Sequence, residues 1–189
     1  SVVLIRWAKA QGIGVTAEAT PHHFTLTDDM VKSFDTKTKV NPPLRTLEDV
    51  EALKEALQEG VIDCIASDHA PHTEEEKELE YDQAPFGMIG LETALGLAVT
   101  ELVEKKHLTW PQLVDKMSAR PAQIAGLANK GEIQEGKDAD LTIVDPKREW
   151  VVRKEEFASK SKNSPFVGRT LKGCVTTTIC GGKVVYQIN

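Results

Sequence analysis

Two short segments hold the side chains that are best suited to chemistry. Residues 20–23 read Thr-Pro-His-His, and residues 67–72 read Ser-Asp-His-Ala-Pro-His. Each segment follows a short apolar run that is typical of a buried strand. At the end of a strand, carboxylates and imidazoles can bind a metal ion and transfer protons. Both segments are therefore candidate parts of an active site.

Asp68 is the strongest catalytic candidate, because it directly follows the apolar run of residues 61–67. From there its carboxylate would point into the mouth of a barrel, where it could bind a metal ion, orient a metal-bound water and accept that water's proton. The structural alternative is that Asp68 caps the next turn and that His69 and His72 lie on the surface. The two histidines and the proline that follow Asp68 so closely make the catalytic interpretation as strong as the structural one.

Three further groups have both a functional and a structural interpretation. His22 and His23 could bind a metal ion, although paired histidines after a strand also serve as hydrogen-bonded packing groups. Asn41 could offer its amide to a ligand, and an Asx-turn before the next proline explains it equally well. In residues 84–87 (Ala-Pro-Phe-Gly), the glycine permits close backbone approach, and N–H groups near a helix start suit a carboxylate or amide ligand.

The predicted elements around these groups alternate between helix and strand, as in parallel β/α units. Thr46 is a predicted helix cap, and shorter helices are expected to begin near Thr109 and Pro121. The apolar pattern predicts helices over residues 2–11, 47–59 and 89–105, and strands over residues 13–20 and 61–67.

The pattern changes near residue 130, beyond which β-branched runs alternate with Gly, Pro and charged turns. The predicted fold class is α/β, with the last units of a (β/α)8 TIM-type barrel in residues 1–130 and a small all-β module in residues 131–189. Two β/α units cannot close a barrel of eight. We therefore expect the other units before Ser1, as the start inside an amphipathic helix also indicates; an open sheet is the alternative.

Composition argues against several classes of function. The 189 residues carry a formal net charge of −6, whereas a nucleic-acid surface needs clustered Lys and Arg. No apolar run reaches the roughly 20 residues that cross a bilayer, so we expect no membrane contact. Cys64, Cys174 and Cys180 are an odd number without metal-like spacing. They indicate a reducing cytoplasm rather than a disulfide framework.

The chain resembles the bacterial-type (class I) dihydroorotases along nearly its whole length. The motifs NPPLR and SDHAPH carry most of this resemblance, and TPHH strengthens it, whereas allantoinases and dihydropyrimidinases are less similar at these points. The last two of the matching segments are common to many amidohydrolases. In chain order the segments are TAEATPHHFTLT, KVNPPLR, IDCIASDHAPHT, APFGMIGLETALGLA, SARPAQIAGL and GEIQEGKDADLTIVD.

The resemblance implies a (β/α)8 barrel with a small β-sandwich built from both chain ends. It also implies reversible hydrolysis of the cyclic amide of dihydroorotate to N-carbamoyl-aspartate in pyrimidine biosynthesis, with one or two Zn²⁺ ions. Asp68 matches a metal ligand that is also the general base. Asn41 and His72 match substrate-binding residues, and Phe86 and Gly87 match a loop whose backbone holds the ring.

The other metal ligands and the substrate-binding arginine of that family have no counterpart in these residues, so we expect them before Ser1. His22 and His23 match a family motif that is not a primary metal ligand. The 189 residues alone are therefore expected to be inactive. A hydantoinase or allantoinase, or a non-catalytic dihydroorotase-like assembly partner, is the alternative. The expected partner is the small-molecule substrate, and a homodimer or a complex of pyrimidine-pathway enzymes is the assembly that this resemblance leaves open.

Overall fold

The first part of the chain alternates helices with two short parallel strands. The structure is a computed structural model that describes residues 1–188. Strand β1 (Glu18–Ala19) pairs in parallel with strand β2 (Cys64–Ile65). The two strands therefore end at the same edge, and the segments that follow them leave side by side. The elements of this part are α1 (Val2–Ala10), β1 (Glu18–Ala19), α2 (Leu47–Gln58), β2 (Cys64–Ile65) and α3 (Glu74–Lys77).

Both strands are shorter than their apolar runs predict. Glu18 pairs with Cys64 and Ala19 with Ile65, and in the described residues these two strands pair only with each other. A strand is assigned from its hydrogen bonds to neighbouring strands, and each run here has one such neighbour over two residues only. Residues 61–65 are nevertheless buried, whereas Ala19 is the one buried residue of the run 13–20. The predicted order of elements is confirmed, whereas the predicted strand lengths are wrong.

Helix α2 begins where the sequence predicts. The Thr46 hydroxyl accepts a hydrogen bond from the Asp49 N–H, which satisfies one of the free donors of the first turn. The predicted cap is thereby confirmed. Helix α1 packs Val2 and Ile5 against the core. Val3, Leu4 and Trp7, which form another apolar face of the helix, lie outward, and Trp7 is 59 % exposed.

Two helical runs cover the next part of the chain. The first starts five residues later than the predicted helix at residues 89–105. Residues 89–90 are irregular where Gly90 closely approaches the Ser67 carbonyl, and residues 91–93 form a turn. From residue 1 to residue 188, no helix is both long and apolar enough to cross a membrane. The runs are α4 (Ala94–Ala98) with a π-helical continuation (Val99–Val103), and α5 (Trp110–Val114) joined to α6 (Arg120–Ile124) by a π-helical stretch (Asp115–Ala119).

The last part of the chain forms a three-stranded antiparallel sheet in the order β3–β4–β5. Its strands are β3 (Leu141–Val151), β4 (Thr170–Cys180) and β5 (Lys183–Gln187). A sandwich has two layers, and the described residues supply only this one sheet beyond the β1–β2 pair. The second layer of the expected sandwich is therefore not present here.

Residues 152–169 leave this sheet and return to the first part of the chain. The Glu92 carboxylate accepts hydrogen bonds from the N–H groups of Ala158 and Ser159, and Arg169 pairs with the buried Glu101. The side chains of this return segment complete a core cluster of Leu26, Val40, Leu44, Met88, Ile89, Leu97, Val152, Phe157, Phe166 and Leu171. Residues before and after position 130 both contribute to this core. The predicted domain boundary near residue 130 therefore stays a prediction.

Candidate functional site

Asp68 lies at the edge where β1 and β2 end. Its backbone is left-handed, with φ of 48°, a conformation that only Gly, Asn and Asp adopt readily. The side chain is 47 % exposed, and its Oδ2 lies 3.7 Å from Nε2 of His22, which follows β1. The structure therefore brings the two chemistry-bearing segments together at one edge.

His22 is a buried, neutral imidazole at this edge. It is 2 % exposed, and among the described residues its Nε2 has no hydrogen-bond partner. Burial first, and the neighbouring His23 second, lower the pKa of His22 from 6.5 to about 3. The 3.7 Å contact with Asp68 is thus not an ion pair at neutral pH, and it is also too long for a hydrogen bond.

The buried neutral state of His22 predicts acid sensitivity of the 189-residue chain. Because the pKa of His22 is lower in the folded state (about 3) than in the unfolded state (6.5), the unfolded state binds more protons between these values, and stability falls as pH decreases through this window. Between pH 7 and pH 5, His22 is expected to remove about 2 kcal/mol from the free energy of unfolding. Urea unfolding of wild type and His22→Gln at both pH values measures this difference. Equal losses in the two proteins would show that His22 is not the cause.

His23 connects the end of β1 to the loop that carries Asn41. Its Nε2 lies 2.8 Å from the Pro42 carbonyl oxygen, which can only accept, so Nε2 carries the proton. Its Nδ1 then accepts from the Thr20 hydroxyl at 2.6 Å. Both ring nitrogens are engaged, which leaves His23 unsuited to bind a metal ion. Asn41 itself is exposed and available to a ligand.

His69 connects the segment that contains Asp68 to the residues just before helix α4. Its Nδ1 accepts hydrogen bonds from the N–H groups of Gly90 at 3.1 Å and Leu91 at 3.4 Å. A parallel bridge also joins His69 to Met88. His69 is therefore a half-buried, hydrogen-bonded residue, and no local sequence signal identifies partners that lie so far along the chain.

His72, together with Asn163, holds the loop that contains Phe86 and Gly87. The His72 Nε2–H donates to the Phe86 carbonyl oxygen at 2.9 Å, and its Nδ1 lies 3.6 Å from a Glu76 carboxylate oxygen. Asn163 donates from Nδ2 to the Gly87 carbonyl oxygen at 3.2 Å. Phe86 is 55 % exposed, whereas Gly87 is buried. Three of the five predicted site residues, His72, Phe86 and Gly87, thus lie on two loops that hydrogen bonds join, whereas the side chain of Asp68 lies beside His22.

Two buried lysines reach the same loop from the other side. Sequence reasoning did not select Lys39 or Lys77, which are 8 % and 7 % exposed. Burial first, and the charge of Lys39 second, lower the pKa of Lys77 from 10.5 to about 8. The four bonds run from Lys39 Nζ to the carbonyl oxygens of Asp82 (2.9 Å) and Ala84 (2.7 Å), and from Lys77 Nζ to those of Pro85 (2.8 Å) and Gly87 (3.0 Å).

These side chains do not by themselves form a metal site. Within residues 1–188 there is no group of three or more His, Cys, Asp or Glu side chains that could hold a metal ion. Asp68 offers one carboxylate, and the unpartnered Nε2 of His22 faces it. Zinc sites in proteins use three or four protein ligands. The residues present therefore fit part of a metal site only.

Comparison with known proteins identifies the class to which this arrangement belongs. The chain is 59 % identical over 187 residues to a protein from Pelotomaculum thermopropionicum that is named dihydroorotase, with 99 % of this chain and 44 % of the relative covered. It is 54 % identical over 188 residues to a dihydroorotase from Endomicrobium trichonymphae, with 100 % and 44 % covered. The chain thus spans less than half the length of these curated relatives.

Solved structures with the same fold are hydantoinases and dihydropyrimidinases. The L-hydantoinase from Arthrobacter aurescens superimposes with a TM-score of 0.93 at 36 % identity, covering 98 % of this chain and 42 % of that chain. The dihydropyrimidinase from Brevibacillus agri NCHU1002 gives a TM-score of 0.92 at 27 % identity with the same coverage. The amidohydrolase family model matches residues 22–185, which include His22, His23, the whole of residues 67–72 and most of the three-stranded sheet. The chain belongs to the amidohydrolase family.

Proposed function

We propose that the protein to which these residues belong is a dihydroorotase, which opens the cyclic amide of dihydroorotate to N-carbamoyl-aspartate and also catalyses the reverse cyclisation. The observation that carries this proposal is the difference in similarity. Relatives named dihydroorotase reach 59 % identity over 99 % of the chain, whereas the hydantoinase structure reaches 36 % over 98 %.

Asp68 is the proposed general base and acid. Its half-exposed carboxylate is free to accept a proton from the attacking water and to return it to the departing ring nitrogen. Asp68 is also the proposed metal ligand of this chain, and we propose Zn²⁺ as the metal, with its other ligands on residues outside this chain. A bound metal of this kind would lower the pKa of water and polarise the amide carbonyl.

The loop that contains Phe86 and Gly87, with His72 and Asn41, is the proposed substrate-binding surface. The carbonyl oxygens of residues 84–87 already accept hydrogen bonds from Lys39, Lys77 and His72. Among the N–H groups of these residues, those of Ala84 and Gly87 already donate to the carbonyl oxygens of Glu80 and Lys39, and Pro85 has none. The Phe86 N–H is therefore the backbone donor that we propose for a carbonyl or carboxylate oxygen of dihydroorotate.

A cavity that His72 lines, although Asp68 and Phe86 do not, carries an excess of positive charge. It has a volume of about 590 Å³, and its walls include five lysines and two glutamates. This excess of positive charge would attract the carboxylate of dihydroorotate, and it would do nothing for a hydantoin or dihydropyrimidine ring. The lysines are Lys37, Lys77, Lys154, Lys160 and Lys162.

A substrate panel tests this proposal against a hydantoinase-type activity. The longest open reading frame that encodes these residues is assayed with dihydroorotate, hydantoin, dihydrouracil and allantoin. We expect a kcat/KM for dihydroorotate that exceeds the others by at least about 100-fold, since a site built for a charged group strongly rejects its absence. A chelator is expected to abolish the activity and Zn²⁺ to restore it. A preference for hydantoin or dihydrouracil would contradict the proposal and indicate a hydantoinase-type activity.

The architecture of the whole protein is part of the proposal. We propose that β1 and β2 are neighbouring strands of a (β/α)8 barrel, and that residues outside this chain cover α1 and supply the second layer of a sandwich on β3–β5. The exposed Val184 and Val185 on β5 support an apolar covering of this sheet. We also propose a cytoplasmic location, on the basis of the three free cysteines. A homodimer or a pyrimidine-pathway complex is the proposed assembly.

A further inference from the structure

Of the four buried lysines in the described chain, three have backbone carbonyls as their hydrogen-bond partners, and two of these three, Lys39 and Lys77, bond to the same loop. Lys54, which is equally buried, lies 2.8 Å from a Glu51 carboxylate oxygen and 3.8 Å from one of Glu101. Among residues 1–188, no carboxylate oxygen lies within ion-pairing distance of Lys39 or Lys77. A buried ammonium group loses its hydration, and a carbonyl restores less of that loss than a carboxylate does.

The two ammonium groups also repel each other. The charge of Lys39 contributes to the lowered pKa of Lys77, so the two side chains place like charges in one small volume. A pair of Leu or Met side chains would fill the same space without this cost. Packing alone therefore does not explain why two lysines occupy these positions.

The bonds that the lysines make are concentrated on one loop. Lys39 binds the carbonyls of Asp82 and Ala84, and Lys77 binds those on either side of Phe86. Lys39 Nζ also lies 4.7 Å from the centre of the Phe86 ring, and its backbone carbonyl accepts the Gly87 N–H at 2.8 Å. The two ammonium groups therefore hold the loop at four carbonyls within six residues, and loss of these bonds would leave a buried charge without partners.

We propose that Lys39 and Lys77 are positioning residues, which fix the backbone of residues 84–87 in the form that recognises the substrate. The effect on the substrate rests on the proposed function, whereas the effect on the loop does not. Neither lysine needs to touch the reacting atoms. Loss of either is expected to loosen the loop and so to weaken substrate binding more than the chemical step.

Lys116 provides a matched control for this proposal. It is also buried, at 6 % exposure, and its ammonium donates to a single backbone carbonyl, that of Ile62, at 2.8 Å. Burial lowers its pKa, as it does for Lys77. Lys116 lies on the π-helical stretch Asp115–Ala119, and its partner Ile62 belongs to the segment that leads into β2 rather than to the loop. Lys116→Met thus reproduces the loss of a buried, carbonyl-bound lysine away from the proposed site.

Hydrogen exchange on the 189-residue chain tests the loop, with wild type, Lys77→Met, Lys39→Met and Lys116→Met compared. In the two loop variants the amide of Gly87 is expected to exchange at least about tenfold faster than in wild type, because local opening of the loop becomes easier. In Lys116→Met it should keep the wild-type rate. If Lys77→Met does not fold, Lys39→Met decides. Exchange at Gly87 that matches the control in the folded loop variants overturns the proposal.

Kinetics of the same substitutions in the longest open reading frame test the consequence for the substrate. We expect KM for dihydroorotate to rise about tenfold in Lys77→Met while kcat changes by less than about threefold, which is the pattern of lost binding rather than lost chemistry. An equal fall of kcat with unchanged KM would overturn the positioning role. If the wild-type protein does not use dihydroorotate at all, the proposed function fails, and the exchange result alone decides on the loop.

Discussion

Asp68→Asn is expected to reduce turnover of dihydroorotate by roughly three orders of magnitude or more, because asparagine can neither accept the proton nor supply a negative charge to a metal. The fold should survive this change. The left-handed backbone at Asp68, with φ of 48°, is a conformation that asparagine adopts as readily as aspartate. The effect is therefore expected in kcat and not in stability.

The measurement compares kcat and the unfolding midpoint of wild type, Asp68→Asn and Asp28→Asn in the longest open reading frame. Asp28 is exposed and lies outside the proposed site, so its substitution controls for the loss of one negative charge. Residual activity within about tenfold of wild type, with the fold intact, would remove Asp68 from the role of general base, since such groups contribute at least about 100-fold.

Gly87→Ala is expected to destabilise the 189-residue chain by about 3 kcal/mol or more, through backbone strain and overpacking together. Gly87 has φ of 123°, and a Cβ atom there would lie 2.4 Å from the Cβ of Ala70. Ala70 cannot yield easily, because its short side chain is an extension of a backbone that pairs with Met88. The same substitution would also displace the loop that His72 and Lys77 hold.

Gly60→Ala is the matched control for this substitution. Gly60 also has a positive φ, of 78°, but no atom lies within 4 Å of the position that a Cβ would take. Its substitution is therefore expected to cost only about 1 kcal/mol, from the backbone conformation alone. Urea unfolding of both variants compares the cost of a positive φ alone, at Gly60, with the cost of a positive φ plus the contact with Ala70, at Gly87. Equal losses would mean that the contact with Ala70 is relieved at little cost.

The sequence predicts the order of elements and the edge of the sheet at which the site lies. An apolar run followed by Asp68, and another followed by His22, places both residues at strand ends whatever the strand lengths are. Parallel pairing then brings them within 3.7 Å of each other. The Thr46 cap is predicted for the same reason, because its partner Asp49 lies three residues away.

The sequence does not predict the contacts that depend on distant residues. Lys39 and Lys77 read as ordinary surface lysines until the fold brings the loop of residues 82–87 over them. Asn163 lies in a stretch that carries no helix or strand pattern, yet it donates to the carbonyl of Gly87. The hydropathy of a lysine predicts an exposed side chain. It cannot reveal the backbone carbonyls that allow the lysine to be buried, because those carbonyls belong to residues that are distant in the sequence.

The apolar face of α1 illustrates a different limit. Its periodicity correctly predicts a helix, but Val3, Leu4 and Trp7 lie outward in this chain, while Val2 and Ile5 face the core. The helix is apolar on more than one side, and such a helix is expected to pack on more than one side. Periodicity therefore predicts the helix but not which of its apolar faces this chain buries.

The most direct test of the proposed function is the ring opening of dihydroorotate and its reversal, measured for the longest open reading frame beside the 189-residue chain. We expect the protein encoded by the longest open reading frame to catalyse conversion in both directions. We expect none from the 189 residues, because they supply only part of a metal site. Failure of the long form with every cyclic amide, in the presence of Zn²⁺, would contradict the account and indicate a non-catalytic assembly partner.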